Sequence, residues 1–177
     1  MNIKSINLAN LILFYIVWWG TLFSVSLDNS YISPILTIIF LTVHLSIISN
    51  RKEEIALLVK CGLIGFFVES SYLYLGVLSY KNQYFSILFP PIWMICIWIT
   101  IGMSINYSMS FLSRRMLLMA FWGSFFGPIS YIAGMKAGII YFHLPMNISI
   151  LILSIVSCMC LSLIYFINNK ERNKIGV

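Results

Sequence analysis

One ionisable side chain lies deep inside an apolar stretch of this sequence, and it is the first residue to consider for chemistry. Glu69 is enclosed on both sides by the apolar run from Ile55 to Leu78. If that run crosses a membrane, an acidic side chain near its middle costs about 2.5 to 3.5 kcal/mol on insertion scales. Two interpretations remain open: Glu69 belongs to a functional site, or it is a structural carboxyl group that is hydrogen-bonded across a helix bundle.

Four further polar residues in apolar surroundings are candidates to accompany this carboxyl group. One of them lies three residues after Glu69, on the same helical face, and the others lie in or directly after later apolar runs. A long Lys side chain can reach inward from a helix end. We therefore predict one buried polar site, able to hold a lipid headgroup or a small solute, made of Glu69, Tyr72, Asn106, Tyr131 and Lys136.

The sequence is poorly equipped for catalysis. It shows no combined set of nucleophile, base and acid, and Glu69 is the only ionisable group deep inside an apolar run. The four cysteines, Cys61, Cys96, Cys158 and Cys160, lie inside apolar runs without a Cys-x-x-Cys spacing or a neighbouring His. We expect no metal, no cofactor and no disulfide framework, and the sequence argues against an enzyme without excluding one.

Two polar features lie between the second and third apolar runs. His44 is near the end of the second run, where we expect it to make a local hydrogen bond rather than to bind a metal. The charged segment 51–54, which contains Glu53 and Glu54, follows it. This segment predicts a solvated turn, with two carboxylates well placed at the first turn of the next helix.

The composition indicates an integral membrane protein. Hydrophobic residues make up 60% of the 177 residues, charged residues only 9%, and the mean hydropathy is +0.95. In soluble domains charged residues are nearer about a quarter of the chain. The 11 Lys and Arg residues exceed the 5 Asp and Glu residues, but they form short clusters between apolar runs and not a nucleic-acid-binding patch.

Six apolar runs are each about as long as the roughly 20 residues that a helix needs to cross a bilayer. We predict a single domain, residues 1–177, that is an all-α bundle of six transmembrane helices. The Trp18-Trp19 pair in the first run is unlike a signal-peptide core, so we expect that helix to be retained. The runs are Ile6 to Leu27, Ile32 to Ile48, Ile55 to Leu78, Pro91 to Phe111, Met116 to Met135 and Leu144 to Ile167.

The basic residues predict the orientation of this bundle. With the N-terminus inside and six spans, only Lys81 and Lys136 fall on the outer side. Such a bias toward the cytoplasm is the positive-inside pattern, and it predicts that both termini are cytoplasmic. The basic residues on the inner side are Lys4, Arg51, Lys52, Lys60, Arg114, Arg115, Lys170, Arg172 and Lys174.

The fifth apolar run carries small residues on one helical face. Close backbone approach through small residues is a main route to helix packing in lipid. We therefore predict that this run is the central helix of the bundle, kinked at Pro128, where a backbone donor is missing. The predicted packing face consists of Gly123, Gly127, Ser130, Gly134 and Gly138.

Several segments together resemble a family of small polytopic bacterial inner-membrane proteins catalogued as a domain of unknown function. The most specific is the segment from Gly127 to Gly138, with its Gly-Pro-x-x-Tyr-x-x-Gly core. In that family the acid of the third helix is usually Asp and the basic residue after the glycines is usually Arg, where this sequence has Glu69 and Lys136. The other matching segments are Trp19-Gly20, Gly76-Val77-Leu78, Pro91-Ile92-Trp93, Trp98 and Asn106-Tyr107-Ser108.

The resemblance implies a multi-pass protein of the bacterial inner membrane, often encoded near enzymes that modify lipids or fatty acids, but no established reaction. Two functions stay open. The chain is a structural, assembly or lipid-associated accessory factor with a buried polar site around Glu69. Alternatively, it is a small-solute transporter or a membrane-embedded substrate-binding subunit. Membrane lipids are the expected partners, together with a protein partner in the membrane, and no nucleic acid is expected.

Overall fold

The described residues fold into six α-helices and one short β-ribbon. The computed structural model describes residues 3–48, 50–83 and 88–175, with the backbone alone for residues 171–175. The predicted side-chain positions of Arg172 and Lys174 therefore lie outside the described residues. In chain order the elements are α1 (Ile3–Ser26), α2 (Ile32–Ile47), α3 (Arg51–Tyr74), β1 (Leu78–Tyr80), α4 (Ile92–Ile105), a 3-10 turn (Ser110–Leu112), α5 (Met116–Lys136), β2 (Ile140–Phe142) and α6 (Met146–Ile175).

Each predicted apolar run overlaps one helix, and four helices in the described part of the chain are long and apolar enough to cross a membrane. These four are α1, α3, α5 and the part of α6 from Met146 to Lys170. Their length and composition indicate a membrane protein. The helices α2 and α4 are apolar but shorter, with 16 and 14 residues. The predicted third run begins and ends four residues too late, because α3 extends from Arg51 to Tyr74, and the predicted fourth run is too long, because α4 ends at Ile105.

Glycines end α3 and α5 in the same way. Gly76 and Gly138 follow these two helices with φ angles of 62° and 72°, a left-handed conformation that Gly adopts without strain. The amide after each glycine returns to the helix, from Val77 to the carbonyl of Tyr72 and from Ile139 to the carbonyl of Gly134. Gly138 therefore terminates α5 and does not belong to its packing face, contrary to the prediction.

A strand follows each of these glycines, and the two strands pair with each other. Leu78 lies opposite Phe142, Ser79 opposite Tyr141, and Tyr80 opposite Ile140, in antiparallel register. This ribbon was not predicted. Its strands have three residues each and lie in apolar surroundings, so they show no alternation of apolar and polar residues.

The ribbon and its two helices form an internal repeat with an offset of 62 residues. The offset relates Gly65 to Gly127 and Gly76 to Gly138. The strand register obeys the same relation, since the central pair, Ser79 and Tyr141, also differs by 62. The antiparallel register relates the two strands by a local two-fold axis at Ser79 and Tyr141, and the units α3-β1-α4 and α5-β2-α6 have the same order of elements.

The two repeats differ in their neighbours. The helix α4 packs against α1, α2 and α3, whereas α5 packs mainly against α6. The prediction that α5 is the central helix is therefore wrong, and α4 holds that position. The reason is that α1 and α2 add to the first repeat only, which surrounds α4 on three sides.

Part of the predicted glycine face does mediate close packing of α5. A Cβ atom at Gly123 would lie 2.7 Å from the backbone oxygen of Ser157 on α6, and one at Gly127 would meet the Ser157 side chain. Gly134 instead faces Ile139 and Ile140, which follow α5 in the chain.

Pro128 and Ser130 are the two remaining predicted residues of α5. The helix α5 is continuous from Met116 to Lys136 with Pro128 buried inside it, and a kink at that proline stays a prediction. Ser130 donates a hydrogen bond to the carbonyl of Gly127 at 2.6 Å. Its side chain borders a cavity rather than a neighbouring helix.

Replacing Gly123 by Leu tests this packing. The new side chain must displace backbone atoms of α6, so we expect a loss of about 1 to 3 kcal/mol in the free energy of unfolding. The matched control is Ile129→Leu on the same helix, where the side chain is 44% exposed and no such contact exists. Equal stability of the two variants in reversible unfolding from detergent would contradict close packing at Gly123.

Candidate functional site

The carboxyl group of Glu69 is the centre of a hydrogen-bond network that joins four elements. The residue lies on α3 with no exposed surface. Its Oε1 atom accepts hydrogen bonds from Trp98 Nε1 and from Tyr131 Oη, each at 2.6 Å. Its Oε2 atom accepts a hydrogen bond from the hydroxyl of Tyr80. We call Glu69, Tyr80, Trp98 and Tyr131 the Glu69 centre.

Local packing explains why Trp98 reaches the carboxyl group. Gly65 lies one helical turn before Glu69, on the same face of α3. A Cβ atom at Gly65 would collide with the ring of Trp98, so the absence of a side chain lets the indole of α4 lie across α3. The indole nitrogen then points at Oε1 of the carboxyl group.

The ribbon positions the hydroxyl group of Tyr80 at Oε2, the other oxygen of the carboxyl group. The ring of Tyr80 contacts the ring of Trp93 edge to face, with centroids 5.6 Å apart. Trp93 is fixed in turn by a hydrogen bond of 3.1 Å from its Nε1 atom to the carbonyl of Lys81. The start of α4 and the end of β1 therefore orient Tyr80 together.

Of the predicted site residues, the structure brings Glu69, Tyr72 and Tyr131 together. Tyr131 lies 62 residues after Glu69, at the equivalent position of the second unit, and the two side chains are hydrogen-bonded. Tyr72 does not bond the carboxyl group. Its ring packs edge to face against Tyr131, with centroids 6.0 Å apart, and supports that ring.

Asn106 lies elsewhere, in a second polar cluster. It caps the end of α4, eight residues and therefore about 12 Å beyond Trp98. Its amide donates to Glu54 Oε2 at 3.2 Å, and its oxygen accepts from Asn168 of α6 at 2.8 Å. The Oε1 atom of Glu54 is 2.9 Å from the Nε2 atom of His44.

This second cluster corrects one prediction. The charged segment was expected to be a solvated turn, but Glu54 is buried, because His44 and Asn106 cover it from α2 and α4. The hydrogen bonds to His44 and Asn106 replace those that the side chain of Glu54 would make with water.

Lys136 does not approach Glu69 either. It is the last residue of α5, is exposed, and lies five residues and about 7.5 Å beyond Tyr131 along the helix axis. Within the described part of the chain, neutral donors alone bond Glu69, and no Lys, Arg or His pairs with it.

Tyr80 and Trp98 were not predicted as partners of Glu69. A signal for Trp98 was present in the four-residue spacing of Gly65 and Glu69, since a glycine one turn from a buried acid leaves room for a large donor. No comparable signal marks Tyr80, because its position depends on a ribbon that the pattern does not reveal.

The arrangement holds a carboxyl group firmly and leaves it little capacity for reaction. Its two oxygens accept three hydrogen bonds, and solvent does not reach them. Among the residues that the structure describes, no three His, Cys, Asp or Glu side chains are grouped as metal ligands. Buried polar groups bonded in this way specify how helices pack.

Substitution of Glu69 tests the network. In Glu69→Leu the donors of Tyr80, Trp98 and Tyr131 lose their acceptor, and each buried unpaired group costs about 1 to 3 kcal/mol. We expect a total loss of about 3 kcal/mol or more, measured by reversible unfolding in detergent. Glu69→Gln keeps an acceptor oxygen, so its loss should stay near 1 kcal/mol. The network is refuted if Glu69→Leu is as stable as Glu69→Gln.

Comparison with known proteins connects this architecture to one family. No curated protein and no solved structure matches the sequence significantly. A family model described as "Protein of unknown function (DUF2878)" matches residues 7–163, which include the whole Glu69 centre. The match confirms the family resemblance seen in the sequence, and the chain belongs to the DUF2878 family of proteins of unknown function.

Proposed function

We propose that the protein is a non-catalytic accessory factor of the bacterial cytoplasmic membrane, with a structural, assembly or lipid-associated role. The observation that carries this proposal is the closed environment of Glu69. The only fully buried carboxyl group of the described residues has no exposed surface and accepts three hydrogen bonds from the protein itself. A group in that state holds helices together rather than turning over a substrate.

The same observation disfavours a polar solute as ligand. A solute site needs donors and acceptors that the protein has not already paired. The Trp98 nitrogen and the Tyr131 hydroxyl both point at Glu69, so neither is available to a polar molecule.

A second candidate function, transport or membrane-embedded substrate binding, is favoured by the internal repeat. In many membrane transporters, parallel or inverted repeats enclose the substrate site near the middle of the bilayer. Here α3-β1-α4 and α5-β2-α6 form such a pair, and a largely apolar cavity lies between α4 and α5. The substrate of such a protein would have to be apolar.

In the proposed arrangement all six helices cross the membrane and both termini are cytoplasmic. The short helix α4 spans about 21 Å at 1.5 Å per residue, less than the roughly 30 Å of hydrocarbon. The turn after it can complete the crossing, because its backbone amides are hydrogen-bonded within the chain. Those of Tyr107 and Met109 donate to the carbonyl of Ser104, and that of Ser110 donates to the carbonyl of Tyr107.

Fusions to the C-terminus test this topology. A fluorescent protein should be bright and alkaline phosphatase inactive, since only the first folds properly in the cytoplasm. A second fusion at Asn82, between β1 and α4, serves as the control and should give the opposite result. Phosphatase activity at the C-terminus would refute an even number of spans.

Lipid analysis of a deletion strain tests the function. If the protein has a lipid-associated role, deletion of its gene should change the lipid profile of the membrane, measured by mass spectrometry. Glu69→Gln should restore the profile and Glu69→Leu should not, because only the first keeps the network. A Glu69→Gln protein that is stable in the membrane yet restores nothing would show that the acid itself is functional and would overturn the structural role.

A further inference from the structure

A cavity of about 200 Å³ lies at the interface of the two repeats, separated from Glu69 by the side chains of Trp98 and Tyr131. Its walls are four helices, together with Met109 after α4 and with Ile139 and Ile140 where β2 begins. The helices α1 and α4 form one side, and α5 and α6 form the other. Glu69 is not among the lining residues.

Broken symmetry accounts for the cavity. The helix α3 packs against α6, but the equivalent pair, α4 and α5, is packed less closely. Part of the space between α4 and α5 is therefore not filled by side chains, and this part is the cavity. On α5 the small residues Gly127, Ser130 and Gly134 line it, so no large side chain fills the gap.

The walls are largely apolar, and several of their polar side chains are already bonded. The Trp98 nitrogen and Tyr131 hydroxyl bond Glu69, and the Ser130 hydroxyl bonds the carbonyl of Gly127. Most of the other side chains in the walls are aliphatic or aromatic, among them Phe14 and Ile101. Apolar cavities of about 150 Å³ exclude water and accept apolar molecules such as benzene.

The shape of the cavity is elongated along the helices. Its lining on α5 extends from Trp122 to Gly134, which is about 18 Å at 1.5 Å per residue. Half of a bilayer's hydrocarbon core measures about 15 Å, the depth reached by one lipid chain. Phe126 lies in the lining and is 41% exposed, so the cavity reaches the outer surface of the bundle.

We propose that this cavity binds a segment of one hydrocarbon chain of a membrane lipid. The chain would enter sideways from the bilayer, past Phe126, and lie parallel to α5. The surroundings supply such chains at high concentration, and the mainly aliphatic and aromatic walls offer them dispersion contacts. The inference rests on the proposed function in one respect, namely that the bundle lies in the bilayer.

Retention of lipid by the purified full-length protein tests the proposal. After prolonged exchange into detergent, native mass spectrometry should show one bound glycerophospholipid or other chain-bearing lipid per protein. Ile101→Trp places an indole in the cavity, where it would overlap the bound chain, and should lower retention about tenfold. The control is Ile155→Trp on α6, at a membrane-exposed position outside the lining. It should retain lipid like the unmodified protein.

A second measurement on the unmodified protein avoids dependence on the folding of a variant. A phospholipid with a photoreactive diazirine in its chain, in vesicles of phosphatidylglycerol and phosphatidylethanolamine, should label residues of the lining such as Trp122 and Phe126. Excess unlabelled lipid should lower this labelling, because both lipids compete for the same single site.

The proposal is wrong if labelling spreads evenly over the outer faces, if the protein retains no lipid, or if it retains a polar solute or a protein instead. Equal retention by Ile101→Trp and the unmodified protein also contradicts it. These outcomes leave the proposed function standing if Glu69→Gln still restores the deletion strain. Failure of Glu69→Gln together with specific lipid retention would overturn the structural role of Glu69 alone.

Discussion

A carboxyl group placed inside an apolar bundle must be hydrogen-bonded, and this constraint explains much of the architecture. Glu69 draws one donor each from β1, α4 and α5 to α3. Each donor is held in place by a neighbour. Gly65 leaves room for the ring of Trp98. The rings of Trp93 and Tyr72 pack edge to face against Tyr80 and Tyr131, respectively. The cost of leaving any of these groups unpaired in a low-dielectric interior favours one arrangement of the helices over its alternatives.

The internal repeat shows how the centre and the cavity are related. The hydrogen bond between Glu69 and Tyr131 joins equivalent positions of the two repeats, as does the bond between Asn106 and Asn168, also 62 residues apart. These two contacts tie the repeats together at separate levels of the bundle. Between them, α4 and α5 are free to stand apart, and the cavity occupies part of that space.

Much of the helical architecture could be predicted from the sequence, because the apolar runs are long and their polar interruptions are few. The carboxyl group and two of its predicted neighbours, Tyr72 and Tyr131, could be found because a charge in an apolar run is conspicuous. The burial of Glu54 could not, since it depends on His44 and Asn106, which are close only after folding. The same holds for the ribbon, whose register is set by the ends of α3 and α5.

The central claim is that Glu69 and Tyr131 join the two repeats energetically as well as geometrically. A double-mutant cycle with Glu69→Leu, Tyr131→Phe and the double variant measures that coupling, with Tyr74→Phe as an exposed control for loss of a hydroxyl group. The structure predicts a coupling free energy of about 1 to 2 kcal/mol for the pair and none for the control. Effects of Glu69→Leu and Tyr131→Phe that add within about 0.3 kcal/mol would contradict the claim.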